Sequence, residues 1–412
     1  MIAGSGGAVR RVHVVGAGPV GLMMAALLQQ APGYDIRLYE KRSAYTRDRM
    51  VKLAPYLVAD TVDAYRTDPL DGENVEAVFE PWELEEALEF RRRLDPVLRS
   101  LLTGMTAGFC RLNDIEHALS DHLDRVGPSP VERVASSLTV AEVEALLAPG
   151  DLLLDCTGCK SLLRDHLVPE WDPAYGDDRN TNSIRMENAA IATFVFDKRY
   201  ECNEFCKYYK NLDNDRYKFV PSVERTLYDD TASHVTGVIH ITEQEYAAMP
   251  PACDGAWLRD NMPGVARSMD RFIEKVAAET GGRLVNDVSV IRIVLDLYRA
   301  YNATNRKWLH APPDGRVVDH PFTRTSVFLV GDSAIGSPYF QSISLGFECA
   351  MFLAGLLTHT ELTPDEVLER YERLVYQQWL RVYMRTKQIK HNKDLFESID
   401  DTFGLLEQLH IF

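Results

Sequence analysis

The sequence of 412 residues predicts an α/β fold: a Rossmann-like nucleotide-binding domain, a β-rich domain inserted into it, and helices at the C-terminus. Three observations in fixed order predict it. A Gly-x-Gly-x-x-Gly turn at Gly16, Gly18 and Gly21 separates an apolar β-branched run from a helical one. The run Asp155-x-x-Gly158-x-x-Ser161-x-x-Arg164 follows the apolar Leu152-Leu153-Leu154, and Gly331-Asp332 follows Val327-Phe328-Leu329-Val330. The expected division is 1–168 and 326–360 for the nucleotide-binding domain, 169–325 for the β-rich insertion and 361–412 for the C-terminal helices.

Val12, Val14 and Val15 form the first strand, and Gly-Leu-Met-Met-Ala-Ala-Leu-Leu the helix after the turn. In that turn Gly16 permits the tight bend, Gly18 lets the backbone approach a pyrophosphate, and Gly21 allows the helix to pack close to the strand. The helix N-terminus, opened by Pro19 and Val20, faces the phosphates. Pro32-Gly33 stops the helix. The second strand, Ile36 to Tyr39, ends at Glu40, a carboxylate about twenty residues beyond the turn and placed to accept hydrogen bonds from an adenosine ribose without a 2′-phosphate. Five cations follow within an acidic chain: Lys41, Arg42, Arg47, Arg49 and Lys52. A solvated basic loop would carry such a run, and so would the rim of an anion site. Arg49 opens Arg-x-x-x-Leu on the return strand, which places it against the cofactor and Lys52 towards a ring or substrate. Arg111 precedes a helix with Ile115, Leu119 and Leu123 on one face, for which Asn113 is the expected N-cap.

Between Pro169 and about Thr325, extended segments such as Ile191-Ala-Thr-Phe-Val-Phe and Val235-Thr-Gly-Val-Ile-His-Ile-Thr alternate with turns of Asp, Asn and Gly, which predicts strands. Tyr200, Tyr208, Tyr209, Tyr217 and Tyr228 are read as core or half-buried surface rather than as an aromatic cavity, and His234 and His240 as structural. An apolar helix is expected from near Leu345. Thr363-Pro364-Asp365-Glu366 combines an N-cap, a proline at the first helical position and a capping-box glutamate, so a long helix follows, with Leu395 to Phe412 as a further one.

The net charge of −16 argues against nucleic acid and against anionic membrane surfaces as partners. The start, Met1 to Gly7, lacks a signal-peptide core, and a cytoplasmic location is expected. Seven scattered cysteines point to reduced thiols. Cys156-Thr-Gly-Cys159 with Cys202 and Cys206 is a weak zinc pattern, because the first pair sits in a motif with its own explanation; no metal is expected.

On the three motifs the chain resembles the class A, one-component FAD-dependent monooxygenases of the aromatic-hydroxylase type, over most of residues 10 to 360. Around Arg49 and Arg111 it is similar to MICAL monooxygenase domains, and Pro338-Tyr339-Phe340-Gln341-Ser342 resembles a loop of flavin-dependent halogenases, although their Trp-x-Trp pair is absent. Phe340 and Ser342 stand where the resembling family has glycines. The resemblance implies FAD held by Gly16, Gly18, Pro19, Val20, Gly21, Glu40, Lys41, Arg42, Arg49, Arg111, Asp155, Gly158, Arg164, Gly331 and Asp332, with Asp332 on the ribityl chain and the following helix N-terminus at the pyrimidine end of the flavin. It further implies NADPH or NADH as reductant and O2 as co-substrate. A flavin C4a-hydroperoxide would then hydroxylate or epoxidise a small aromatic or polyketide-like substrate under a roof formed by the inserted sheet. A single glycine fingerprint means that the nicotinamide visits transiently or that an external flavin reductase supplies electrons. Lys52, Tyr339 and Gln341 are the catalytic candidates. A halogenase or reductase on the same framework, or a flavoprotein acting on a protein partner, are the alternatives, and a homodimer is a candidate assembly.

Overall fold

The computed structural model describes residues 9–408 other than 48, 67–78, 126, 162, 165–180, 201–208, 212–213, 224–230, 309–323 and 338–341. Tyr208, Tyr228, Cys202, Cys206, Tyr339, Phe340 and Gln341 therefore lie outside the described residues.

The chain opens with β1 (Arg10–Val15), α1 (Pro19–Gln29), β2 (Tyr34–Glu40), β3 (Met50–Lys52), α2 (Val62–Arg66), α3 (Pro81–Arg92), α4 (Pro96–Thr106), β4 (Phe109–Arg111), α5 (Leu112–Leu123), β5 (Val131–Ala135), α6 (Val140–Leu146) and β6 (Leu152–Asp155). It continues through β7 (Thr181–Phe196), β8 (Tyr209–Asn211), β9 (Asn214–Val223), β10 (Ser233–Ile241), α7 (Glu243–Ala248), β11 (Ala252–Asp254), α8 (Gly255–Asn261), α9 (Pro263–Thr280) and β12 (Ser289–Ala300). It returns by β13 (Thr304–Trp308), β14 (Arg324–Leu329), β15 (Ile335–Gly336), α10 (Ser342–Thr358) and α11 (Pro364–Gln408).

The first sheet has the order β13-β14-β6-β1-β2-β5. Its strands from β14 to β5 run parallel, with Val12 opposite both Ile36 and Leu152, while β13 joins antiparallel at the edge. Parallel strands covered on both faces need continuous apolar runs, and Val12, Val14 and Leu152 to Leu154 are fully buried. One face packs on α1 and α10, the other on Val143 and Leu147 at α6.

The second sheet is antiparallel, β11-β12-β7-β10-β9-β8, with β15 added to β12. Phe194, Phe196, Phe219 and Phe272 fill the layer between this sheet and α9. Tyr217 is buried there and its hydroxyl donates to Glu245, and Tyr200 packs edge-on against Phe272. Both tyrosines serve the core. His240 pairs with Glu187 at 2.7 Å.

Five local expectations change. The inserted region carries an 18-residue helix, α9, besides its strands: Val265, Met269, Phe272 and Val276 recur at helical spacing on its buried face. β13, at 304–308, pairs with β14 and so belongs to the first sheet although it precedes residue 325. Helix α5 begins at Leu112, with Arg111 at the N-cap position and Asn113 inside the first turn. The Leu112 and Asn113 N–H groups donate to the carbonyls of Arg49 and Arg47, at 2.9 and 3.0 Å, so backbone replaces a side-chain cap. Helix α10 starts at Ser342. Finally, α11 runs unbroken from Pro364 to Gln408, because neither proline nor glycine interrupts residues 365–403. Its capping box is formed: the Glu366 N–H donates to Thr363 Oγ1 at 3.3 Å and the Thr363 N–H to Glu366 Oε2 at 2.8 Å.

Candidate functional site

The glycine turn lies at the C-terminal ends of β1 and β6. Gly16 adopts φ +99°, and a Cβ there would lie 2.7 Å from the Cys156 carbonyl oxygen. A Cβ on Gly21 would lie 1.8 Å from the Gly16 oxygen, so helix and turn touch backbone to backbone. Glu40, at the end of β2, closes the turn: its Oε2 accepts the Ala17 N–H at 3.0 Å. Its Oε1 accepts the Arg42 backbone N–H at 2.9 Å and the Arg42 Nε–H at 3.0 Å. Burial disfavours the charge on Glu40, yet the Arg42 and Ala17 hydrogen bonds outweigh it and hold the carboxyl below its ordinary range.

Two guanidinium groups sit over the turn. The position a Gly18 Cβ would take is 3.3 Å from Arg47 Nη2 and 4.0 Å from Arg42 Nη2. Behind them stands Glu116 of α5, fully buried, which accepts from Arg47 and lies 3.7 Å from Arg42 Nη2. Its other oxygen, Oε2, has no hydrogen-bond partner. The α5 N-terminus holds the Arg47 and Arg49 carbonyls, and β3 pairs with β4 so that Met50 faces Arg111. One small two-stranded unit thereby places Arg47 and Arg49 together. Arg111 itself is turned to Asp114 at 2.9 Å, and Lys41 is exposed.

The second motif is inward-facing. Asp155 is fully buried and accepts from the Thr157 N–H at 2.9 Å, from Ser161 Oγ and from Ser333 Oγ at 3.2 Å. Burial pushes its carboxyl up, against these hydrogen bonds. Arg164, 1% exposed, donates to the carbonyls of Ser333 at 3.0 Å and Cys159 at 3.1 Å. The Gly158 N–H, at φ +90°, donates to Ser333 Oγ at 3.1 Å. The motif thus ties the end of β6 to the turn Gly331-Asp332-Ser333. Cys156 is buried, with its thiol pushed well up by burial and then by Asp155, whereas Cys159 is exposed. Among the described residues no group of three His, Cys, Asp or Glu side chains is placed to hold a metal ion.

Gly331, at φ +67°, meets Val20: a Cβ there would lie 3.0 Å from Val20 Cγ2, and one on Gly346 of α10 would lie 2.6 Å from the same atom. Val20, at the start of α1, therefore packs on both Gly331 and α10, so the glycine turn, the Asp332 turn and the start of α10 meet at one junction. Burial pushes the half-buried Asp332 up to about 6, while Arg49 and then Arg47 pull it down. The Tyr298 hydroxyl of β12 donates to the Asp332 carbonyl at 2.7 Å, which brings the second sheet to this junction. There too the Met50 N–H donates to Thr236 Oγ1 of β10 at 3.2 Å, and the Ala54 N–H to Ser344 Oγ of α10 at 2.9 Å. Lys52, half-buried, stands between these two contacts.

Sequence reasoning singled out Arg49 from the basic run but not Arg47, and it missed Glu116, Ser333 and Tyr298. Glu116 carried a signal: it is a carboxylate on the same helix face as Leu112, Ile115 and Leu119, and an acid on an apolar face requires a cation. Ser333 and Tyr298 carry none, because their partners are distant in sequence.

The segment 14–46 matches the family model of NAD(P)-binding Rossmann-like domains. No curated protein matches the sequence. Among solved structures, CtdE in complex with FAD is similar at TM-score 0.53 and 11% identity, over 92% of this chain and 93% of that one. The tetracycline destructase Tet(51) matches at 0.50 and 12%, over 94% and 96%. The Diels-Alderase PyrE3 of pyrroindomycin biosynthesis matches at 0.50 and 15%, over 94% and 77%. At such identities likeness speaks for fold alone, and the chain has the two-sheet α/β fold of these proteins, one of which was solved with FAD bound.

Proposed function

We propose that the chain is an FAD-dependent monooxygenase that uses NADH or NADPH and O2 to hydroxylate or epoxidise a small aromatic or polyketide-like substrate. The observation that carries this reading is the convergence of the glycine turn, two guanidinium groups and the Asp332 turn. A glycine turn at a helix N-terminus lies under the Arg42 and Arg47 guanidinium groups, and Val20 of that helix packs on Gly331, the neighbour of Asp332. These residues fit the parts of FAD. The turn and the two arginines suit a diphosphate, Glu40 the adenosine ribose, and Asp332 a hydroxyl-bearing chain.

When bound, FAD would supply the redox chemistry, accepting a hydride from the nicotinamide and activating oxygen. The protein's part is to bind, orient and exclude water. Arg42 and Arg47 neutralise the diphosphate, with Glu116 fixing both guanidinium groups from behind. Asp332, held by Tyr298 and the Ser333 knot, would accept hydrogen bonds from the hydroxyl-bearing chain of FAD. If FAD is bound there, the positive end of the α10 dipole would favour the negative charge that a reduced flavin develops. Thr236 and Tyr298 of the second sheet reach the same junction, which supports a substrate site between the two sheets.

The similarity to a protein solved with FAD supports the cofactor, and the similarity to a tetracycline destructase is in keeping with a small-molecule substrate. The Diels-Alderase shows that the fold serves more than one chemistry, so activity has to be measured.

The absorption spectrum of the purified protein, followed by NADH and NADPH oxidation in air against a panel of aromatic and polyketide-like compounds, tests the reading. A flavin spectrum, FAD on extraction and substrate-stimulated, oxygen-dependent oxidation are expected. Protein that remains colourless after incubation with FAD overturns the reading. Halide-dependent turnover would reassign it to a halogenase, and oxygen-independent turnover to a reductase.

A further inference from the structure

We propose that Arg42 is a gate on the nucleotide site: its guanidinium holds Glu40 and has to pass to Glu116 before a ribose can take the Glu40 carboxylate. The proposal rests on the reading of Glu40 as the ribose acceptor. It goes beyond that reading by making binding an exchange between two carboxylates of this chain, and by giving Arg42 a part in choosing the ligand.

Glu40 is saturated by its own chain. Its Oε1 accepts the Arg42 backbone N–H at 2.9 Å and the Arg42 Nε–H at 3.0 Å. Its Oε2 accepts the Ala17 N–H at 3.0 Å and the Arg42 Nη2–H at 3.2 Å. A carboxylate offers about four acceptor sites, so these donors leave none over. A ribose diol donates two hydrogen bonds and needs two of those sites. The backbone donors are fixed by the glycine turn and by the end of β2. The Arg42 side chain, 31% exposed, is the partner that can leave, and its two N–H groups give up the two sites that the diol requires.

Glu116 is placed to receive it. This carboxylate is fully buried, its Oε1 accepts from Arg47, and the same oxygen lies 3.7 Å from Arg42 Nη2. An N–H···O hydrogen bond is about 2.9 Å long, so Nη2 has on the order of 1 Å to travel. On Glu116 the Arg42 guanidinium joins that of Arg47, whose Nη2 is 3.3 Å from the position of a Gly18 Cβ. Opening the gate therefore gathers both cations beside the turn that suits a diphosphate. Adenosine must open the gate and gains nothing from the freed cation, whereas ADP or FAD regains the contact through its phosphates. Arg42 thereby selects nucleoside diphosphates against phosphate-free nucleosides.

Binding of adenosine and of ADP to the full chain, freed of nucleotide and followed by NMR, tests this, together with the rate of FAD binding read from flavin fluorescence. Arg42→Met keeps the bulk and removes the guanidinium. It should tighten adenosine about tenfold and weaken ADP about tenfold. Glu116→Gln removes the receiving charge and should slow FAD association about tenfold in the parent, yet leave adenosine affinity unaltered once Arg42 is replaced by Met. If Glu116→Gln does not fold, the opposite shifts of the two ligands in Arg42→Met carry the test. Adenosine affinity unchanged or lowered in Arg42→Met, while the parent still binds FAD, overturns the gate and leaves the flavin reading standing. A parent that binds neither FAD nor ADP overturns both.

Discussion

Gly18 and Gly21 belong to one turn and serve different purposes. At Gly21 the neighbour a Cβ would meet is the backbone oxygen of Gly16, 1.8 Å away, and backbone on both sides cannot yield. At Gly18 the neighbour is the end of the Arg47 side chain, 3.3 Å away, which can swing aside. Gly21→Ala should therefore cost more than about 4 kcal/mol and leave little folded protein. Gly18→Ala should fold normally and bind FAD at least about tenfold more weakly, because the methyl group and the displaced guanidinium both intrude on the diphosphate. Denaturation curves and FAD titration separate the two. Asp332 makes a second residue-scale case. Its carboxyl titrates near 6 when folded and at 3.8 in the reference state. Between about pH 4 and 6 the folded protein keeps a proton that the unfolded chain has released, so stability falls as pH rises through that window and is level above it. In ligand-free protein, Asp332→Asn should match the parent near pH 4 and exceed it on the order of 2 kcal/mol above pH 6. Urea unfolding across pH shows this, and a constant difference at all pH values refutes it.

At the scale of elements, legibility followed the range of the interaction. The strand, turn and helix of residues 10–29, the strand ending at Glu40 and the Thr363 capping box were readable because each is set by residues a few positions apart. The start of α5 was misread because its cap is the carbonyl of Arg49, some sixty residues upstream, and carbonyls carry no sequence signature. The Asp155 motif was readable as a pattern, while its partner, Ser333, was not. That serine links β6 to the Asp332 turn, and it predicts an effect on a ligand it does not touch. Ser333→Ala leaves the Gly158 N–H without its acceptor inside the protein and frees one side of Asp155. A loss of about 1–3 kcal/mol in stability is expected. FAD affinity should fall with it, since Asp332 then loses its anchor. Unchanged affinity alongside lowered stability would confine Ser333 to a structural part.

Across the whole molecule, the two sheets and the C-terminal helices are joined by polar contacts that no local pattern announces. Arg381 of α11 and Arg91 of α3 converge on Glu348 of α10, and the Tyr65 hydroxyl of α2 donates to the same carboxylate. All four side chains are buried. This places α11 against the helix that packs on Val20 and the Asp332 turn, so the C-terminal region shares in holding the site's shape. Burial opposes the charge on Glu348, but Arg381 and Arg91 outweigh it and keep the carboxyl below its ordinary range. A lowered folded value means that the network adds stability above the unfolded pKa and loses it as pH falls through the folded one. Glu348→Leu removes the carboxylate and strands two buried guanidinium groups, which should cost about 3–5 kcal/mol at neutral pH. Because the variant has nothing there to protonate, its deficit relative to the parent should shrink as pH drops below the usual glutamate range. Replacing the whole cluster, Glu348→Leu with Arg91→Met and Arg381→Met, removes the stranded charges and should recover most of the loss. Chemical denaturation of the single and triple variants at two pH values decides the matter: a triple variant no more stable than the single one would mean that packing around α10, and not the charges, holds these helices together.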